Sequence, residues 1–280
     1  MTATFPHPRI SWAPVIDRAR ELTLAEQAVV GVAPTLRRVH YLLVSDATAR
    51  ALGYMNRHYC YSALSDHTTR GREAGTFPDL SDNTRRIDHP GVFASEAEAR
   101  AWLASAFTLD RRPLLDRSTI LVTEKDGLIP LLASQFDWLD MTAVKGFTSH
   151  THMQKVGRFS RAIYVGDYDP SGLYISHLLT ERCPDTDVVR VGLDYEQVTD
   201  YDLVPEPAKD KDSRTDWMIE HYGHAMQIEA DALDPLVLLQ IVADGITEHT
   251  GVELEPDGWP VAPDLDAEEE AIRARLRGED

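Results

Sequence analysis

Residues 118–136 read STILVTEKDGLIPLLASQF, and residues 160–183 read SRAIYVGDYDPSGLYISHLLTERC. Both follow one plan. A short apolar, β-branched run ends at acidic residues, and the chain resumes with helical spacing of its apolar positions. ILVT before Glu124 and AIYV before Asp167 are each five residues or fewer, too short for helices and suited to buried strands. Two further runs fit between and after them, DMTAVKG at 140–146 as strand and turn and DVVRVGL at 187–193 as a strand. Strand and helix alternating at this spacing predict an α/β fold with a parallel sheet.

Outward from this centre the texture changes. Towards the N-terminus, 14–30, 35–46 and 57–71 read as helices, with Thr35 after Pro34 as the cap of the second and a turn at 75–79. Three short Arg-bearing helices and a turn suggest a helical, winged-helix-like DNA-binding domain over 1–94. The same pattern also suits a plain helical bundle. Segment 95–107 is a capped helix with acids in its first turns, and 95–117 reads as a connector. The sheet domain is expected over 118–250, with a late amphipathic helix at 234–250. Residues 251–280 read as an acidic tail, opening with prolines and closing as a charged helix.

Composition narrows the function classes. No run approaches the roughly 18 apolar residues of a membrane span, so no membrane partner is expected. Residues 1–12 lack a basic flank followed by an apolar stretch, so no signal peptide is expected. Cys60 and Cys183 form neither a zinc pattern nor a disulfide framework, which suits a reducing cytoplasm. The net charge of −18 argues against a nucleic-acid partner, but it is unevenly spread. Residues 1–120 carry fifteen Arg, no Lys and thirteen acids, a net +2, whereas 121–280 carry a net −20. Arginine forks suit phosphate, and acids clustered at strand ends suit a divalent cation.

The acids are the sharpest chemical signal. Glu124 ends one strand, and Asp167 and Asp169 end another. In an open parallel sheet ligands bind at the carboxyl ends of strands, so both acid sites point to one rim. Residues two apart in extended chain face the same way, so Asp167 and Asp169 can face one ion. Three hard oxygen donors on separate loops suit Mg²⁺. A calcium loop starting at Asp167 is excluded, because Leu178 stands twelfth where a bidentate Glu is required and Pro170 falls inside.

These segments, with TLRRVHYLLVS at 35–45, GREAGTFPDLSDNTR at 71–85, KGFTSHT at 145–151 and EADALDPLVL at 229–238, resemble a known family. It is that of the topoisomerase VI A subunit and the meiotic double-strand-break protein, and most closely the short Toprim proteins of actinobacteria and their phages. The resemblance covers about 35–250. It implies a winged helix followed by a Toprim domain, and a magnesium site at Glu124, Asp167 and Asp169. It also implies a tyrosine nucleophile within an Arg-x-x-aromatic-aromatic motif. Here the motif runs Arg37-Arg38-Val39-His40-Tyr41, so the nucleophile falls on Tyr41 and His40 replaces the first aromatic. In the family the tyrosine of one protomer meets the metal site of another, which implies a homodimer. DNA is the implied partner, at the nucleoid. Strand passage would require a separate ATPase, since the chain holds no Gly-rich phosphate loop.

Arg37, one turn before Tyr41, is placed to hold a phosphate. Arg38, Arg70, Arg72 and Arg85, with Arg86, are expected to contact the DNA backbone, or else to solvate a surface. Lys145 at a strand end is a further phosphate contact or a surface lysine. Tyr41 is either the nucleophile or a core aromatic beside Leu42 and Val44. His150 and His152 read as loop residues rather than zinc ligands. Glu229 and Asp231 read as a helix cap in preference to a second carboxylate pair, and Lys125 as a countercharge to the acids. Three functions stay open: DNA cleavage by tyrosine transesterification, metal-dependent hydrolysis by water, and a non-catalytic DNA-binding module.

Overall fold

The computed structural model describes residues 10–81, 92–144, 150–208 and 214–279. Arg85, Arg86 and Lys145 lie outside the described residues.

Four helices come first: α1 (Trp12–Val30), α2 (Leu36–Ser45), α3 (Ala47–Ala51) and α4 (His58–Glu73). Their core follows from spacing. Val15/Ala19, Val39/Leu43 and Cys60/Leu64 are i,i+4 pairs that point one face of each helix inward, and all six are fully buried. The Thr35 side chain accepts the Arg38 N–H at 3.2 Å and starts α2, as its place after Pro34 predicts. Among the described residues, 10–81 hold no strand pair beyond a single bridge from Thr35 to Ser81.

After α5 (Glu96–Ala106), capped by Ser95, the chain enters the sheet region. Its elements are β1 (Thr119–Thr123), α6 (Ile129–Phe136), β2 (Asp140–Ala143), α7 (His150–Val156), β3 (Arg161–Val165), α8 (Pro170–Arg182) and β4 (Asp187–Gly192). Next come α9 (Tyr195–Asp200), β5 (Glu206–Pro207), α10 (Thr215–Tyr222) and β6 (Met226–Gln227), and finally α11 (Pro235–Thr250) and α12 (Pro263–Arg277). His150 and His152 open α7 rather than lying in a loop, and His152 Nε2 lies 3.1 Å from the Thr142 hydroxyl.

The four main strands are all parallel, in the order β2-β1-β3-β4. The expected α/β class with a helical N-terminal part is therefore the observed one. β1 and β3 are buried along their whole length, as central strands covered on both faces must be. Leu121 and Ile163 pack towards α6 and α11, while Ile120, Val122 and Tyr164 pack towards α7 and α8. The chain leaves β1 towards β2 on one side and leaves β3 towards β4 on the other. Right-handed crossovers in opposite directions put their helices on opposite faces, which is where α6 and α8 lie. The crevice between the carboxyl ends of β1 and β3 is thus the switch point of the sheet, the place where such folds bind ligands.

The segments read as connector and tail meet in space. α12 packs along α5, and the buried Arg111 guanidinium reaches Glu269 at 3.0 Å and Asp266 at 2.9 Å. Among the described residues no helix is long and apolar enough to cross a membrane.

Candidate functional site

Glu124 follows β1, and its N–H donates to the Val165 carbonyl at 3.0 Å, so the ends of β1 and β3 are locked side by side. Its carboxylate accepts the Asp167 N–H at 3.1 Å. Tyr168 turns away from the rim: it is buried, its hydroxyl lies 2.9 Å from His224 Nε2, and its backbone pairs with Ile228. The residues on either side, Asp167 and Asp169, consequently face the rim. Asp169 also caps α8, accepting the Gly172 N–H at 2.6 Å. Gly172 is required here, since a Cβ would stand 2.7 Å from Glu124 Oε2 and closer still to the Asp167 carbonyl.

The bridge from Tyr168 to Ile228 brings in more acid. Ala230 donates its N–H to Asp167 Oδ1 at 3.0 Å, which sets Glu229 and Asp231 beside the rim. Neither side chain caps the 3₁₀ turn at Ala230–Ala232. The cap reading therefore fails, and the two carboxyls belong to the rim cluster. Glu229 and Asp231 stand at a single 3₁₀ turn, too short to show a period in sequence, so only the tertiary bridge delivers them.

Five carboxyls share this corner, and burial dominates their electrostatics. Glu124 is 8% exposed and Asp167 3%. Burial pushes the Glu124 carboxyl well above the usual carboxylate range, and Asp167 and Asp169 push it further. Burial also raises Asp167, although Lys125 opposes it. Asp231 is raised by burial and then by Glu229. The countercharge is Lys125, whose ammonium bonds to Asp167 Oδ2 and lies 3.5 Å from Glu229. Burial alone would lower the Lys125 ammonium, but Asp167 and Glu229 more than offset it and hold it above its ordinary range.

Arg190 on β4 is a positioning residue that the sequence reading passed over. Its guanidinium donates to the carbonyls of Gly166 at 3.0 Å, Asp167 at 2.7 Å and Leu193 at 2.7 Å. It thereby fixes the loop that carries Asp167. The one available signal is a lone Arg inside the otherwise apolar run VVRVGL.

The α2 motif opens onto the same corner. Arg37, Tyr41, Asp169 and Glu229 line one cavity of about 320 Å³, together with His58 and Tyr61 from α4. Arg37 ion-pairs with Glu229, and its guanidinium sits 5.6 Å over the Tyr61 ring. Tyr41 is half-buried. Burial raises its phenol, Glu229 raises it further, and Arg37 opposes both. Tyr41 thus shares this cavity with Asp169 and Glu229 of its own chain.

The neighbours of these residues take other roles. Arg38 is 7% exposed, bonded to Glu26 at 2.6 Å and to the Leu233 carbonyl at 2.7 Å. It clamps α1 and α2 to the segment before α11, so the expectation that it faces DNA is corrected. His40 is buried, with Nδ1 2.8 Å from the Tyr54 hydroxyl and Nε2 3.0 Å from Asn56 Oδ1. Asn56 Oδ1 only accepts, so Nε2 carries the proton and Nδ1 accepts from Tyr54. Arg70 and Arg72 stand in the last turn of α4. They lie about 18 and about 21 Å along that helix from the cavity residue His58, so they are not part of this site.

The donor set fits a hard divalent cation in its chemistry. Every group is a carboxylate, and the buried Glu229 Oε2 makes no hydrogen bond. Among the described residues no trio of His, Cys, Asp or Glu is already arranged about one metal position. Both Asp167 oxygens and one Asp169 oxygen accept protein donors. No protein-family model matches this chain, and no curated protein matches it in sequence.

Proposed function

We propose that the chain is a DNA-cleaving enzyme of the topoisomerase VI A-subunit type, with a winged-helix-like N-terminal region and a Toprim domain. The observation that carries the reading is the single cavity shared by Arg37, Tyr41, Asp169 and Glu229 at the switch point of a parallel sheet. Glu124, Asp167 and Asp169 would hold Mg²⁺, whose charge, when bound, polarises a phosphodiester and stabilises charge on oxygen.

In the proposed reaction the Tyr41 phenolic oxygen attacks phosphorus and the bond from phosphorus to a sugar oxygen breaks. The phenol's proton is balanced by the proton taken up on the leaving sugar oxygen. One phosphodiester is exchanged for another, so cleavage is reversible. Arg37 would exchange its Glu229 partner for the substrate phosphate. DNA is the proposed substrate, a homodimer the proposed assembly, and a separate ATPase the proposed source of strand passage.

Hydrolysis by water at the same acids is a second reading. It is favoured by the burial of Tyr41, which disfavours the phenolate. The deciding experiment is cleavage of supercoiled DNA with Mg²⁺, stopped by denaturant and analysed with and without protease. Wild type is compared with Tyr41→Phe and Asp167→Ala. Protein left on DNA ends in wild type and in neither variant supports transesterification. Free ends that persist in Tyr41→Phe but vanish in Asp167→Ala support hydrolysis. No cleavage by the wild-type chain, alone or with a candidate ATPase, leaves only the DNA-binding reading.

A further inference from the structure

We infer that Lys125 is a countercharge seated on Asp167 that gives way when a divalent cation enters. The inference rests on the proposed metal reading of the rim. Five carboxyls meet there, from Glu124, Asp167, Asp169, Glu229 and Asp231, with Lys125 and Arg37 as the cations in contact with them. Each Asp167 oxygen already has a donor, Oδ1 the Ala230 N–H and Oδ2 the Lys125 ammonium. An ion ligated by Asp167 can keep the neutral Ala230 N–H as a neighbour, but it is repelled by the ammonium on Oδ2 and beside Glu229.

The Ala230 N–H cannot swing away, since it is backbone held by the pairing of Tyr168 with Ile228. Lys125 can. Its side chain is 37% exposed, it ends a flexible four-carbon stem, and among the described residues its ammonium contacts the Asp167 and Glu229 carboxylates. An ammonium bonded to the oxygen that a divalent cation needs is also repelled by that cation. Metal affinity at this rim is therefore set by a displacement. Lys125 is on this reading a positioning residue that tunes the site.

The test uses the full chain and Mn²⁺ as probe, titrated calorimetrically and by electron paramagnetic resonance at fixed ionic strength. The proteins are wild type, Lys125→Gln and Asp167→Asn, with circular dichroism melting to show that each is folded. Lys125→Gln is expected to bind Mn²⁺ about tenfold more tightly, the scale of a change beside a metal ligand. Asp167→Asn is expected to lose the site. In parallel, wild type is labelled with acetic anhydride with and without Mg²⁺, and acetylation of Lys125 is read by mass spectrometry against exposed Lys155. Mg²⁺ is expected to raise Lys125 labelling several-fold. Unchanged or weaker Mn²⁺ binding by Lys125→Gln, or labelling indifferent to Mg²⁺, overturns the inference while wild-type binding preserves the metal reading. Absence of saturable binding in both wild type and Lys125→Gln overturns the two together.

Discussion

The carboxylate rim and the α2 motif face each other across one cavity, but they are built in opposite ways. At the rim, strand geometry gathers like with like: neighbours in sequence, Asp167 and Asp169, stay neighbours in space. On α2 the helix scatters its motif. Arg37 and Tyr41, one turn apart, enter the cavity, whereas Arg38 and His40 between them are buried in structural work. A strand has two faces and a covered sheet leaves one usable end. A helix has directions enough to send adjacent residues to different partners.

The largest expected effect would break the equivalence of the two arginines. Arg38→Ala leaves Glu26 buried without its partner and removes the tie to the Leu233 carbonyl. It should cost about 3–5 kcal/mol of stability, seen as a lower urea midpoint. Arg37→Ala, at a half-exposed pair, should cost no more than about 1 kcal/mol while impairing DNA cleavage. Equal losses of stability from both would show that the motif is not divided in this way.

At the rim, Asp167→Asn should reduce Mg²⁺-dependent cleavage by about 100-fold or more with the fold retained, measured by gel assay alongside circular dichroism. Gly172→Ala sharpens the same point. The added methyl meets Glu124 and the Asp167 carbonyl, so stability should fall by about 1–3 kcal/mol and metal binding should weaken with it. A Gly172→Ala protein with wild-type stability and cleavage would mean that the close approach at the rim is not needed.

The smallest effect concerns pH and tests the helix side alone. Burial lowers the His40 pKa below its ordinary value of 6.5. The unfolded chain therefore binds a proton more readily than the folded one between those two values. Stability from neutral His40 is full above about pH 6.5 and is lost as pH falls from there through the folded value. Urea midpoints at pH 7.5 and 5.5 should differ more in wild type than in His40→Gln. A pH response identical in both proteins would remove His40 from the account.

Much of the fold was legible because its signals are local. The β-branched runs before Glu124 and Asp167, the Thr35 and Ser95 caps and the Pro-started helices appear where the residues place them. α9 carries a local sign as well, the Asp194–Gln197 capping box. His150 and His152 were read as loop because Ser and Thr flank them, yet Val156 and Met153 bury a helical face there. Glu229 and Asp231 carried no local sign of their role, since their place depends on a bridge from Tyr168 to Ile228, and Arg190 carried little.

By itself, then, the sequence determined the strand and helix alternation and the three acids at strand ends, because side-chain period and strand polarity act within a few residues. Only the tertiary structure decided which residues meet those acids. Arg37 finds Glu229 across 192 positions, and Arg38 finds the Leu233 carbonyl across 195. Nothing in the local spacing encodes either partner. Each pairing follows from packing the helical region against the carboxyl edge of the sheet, where buried charge has to be matched by whatever the fold brings within reach.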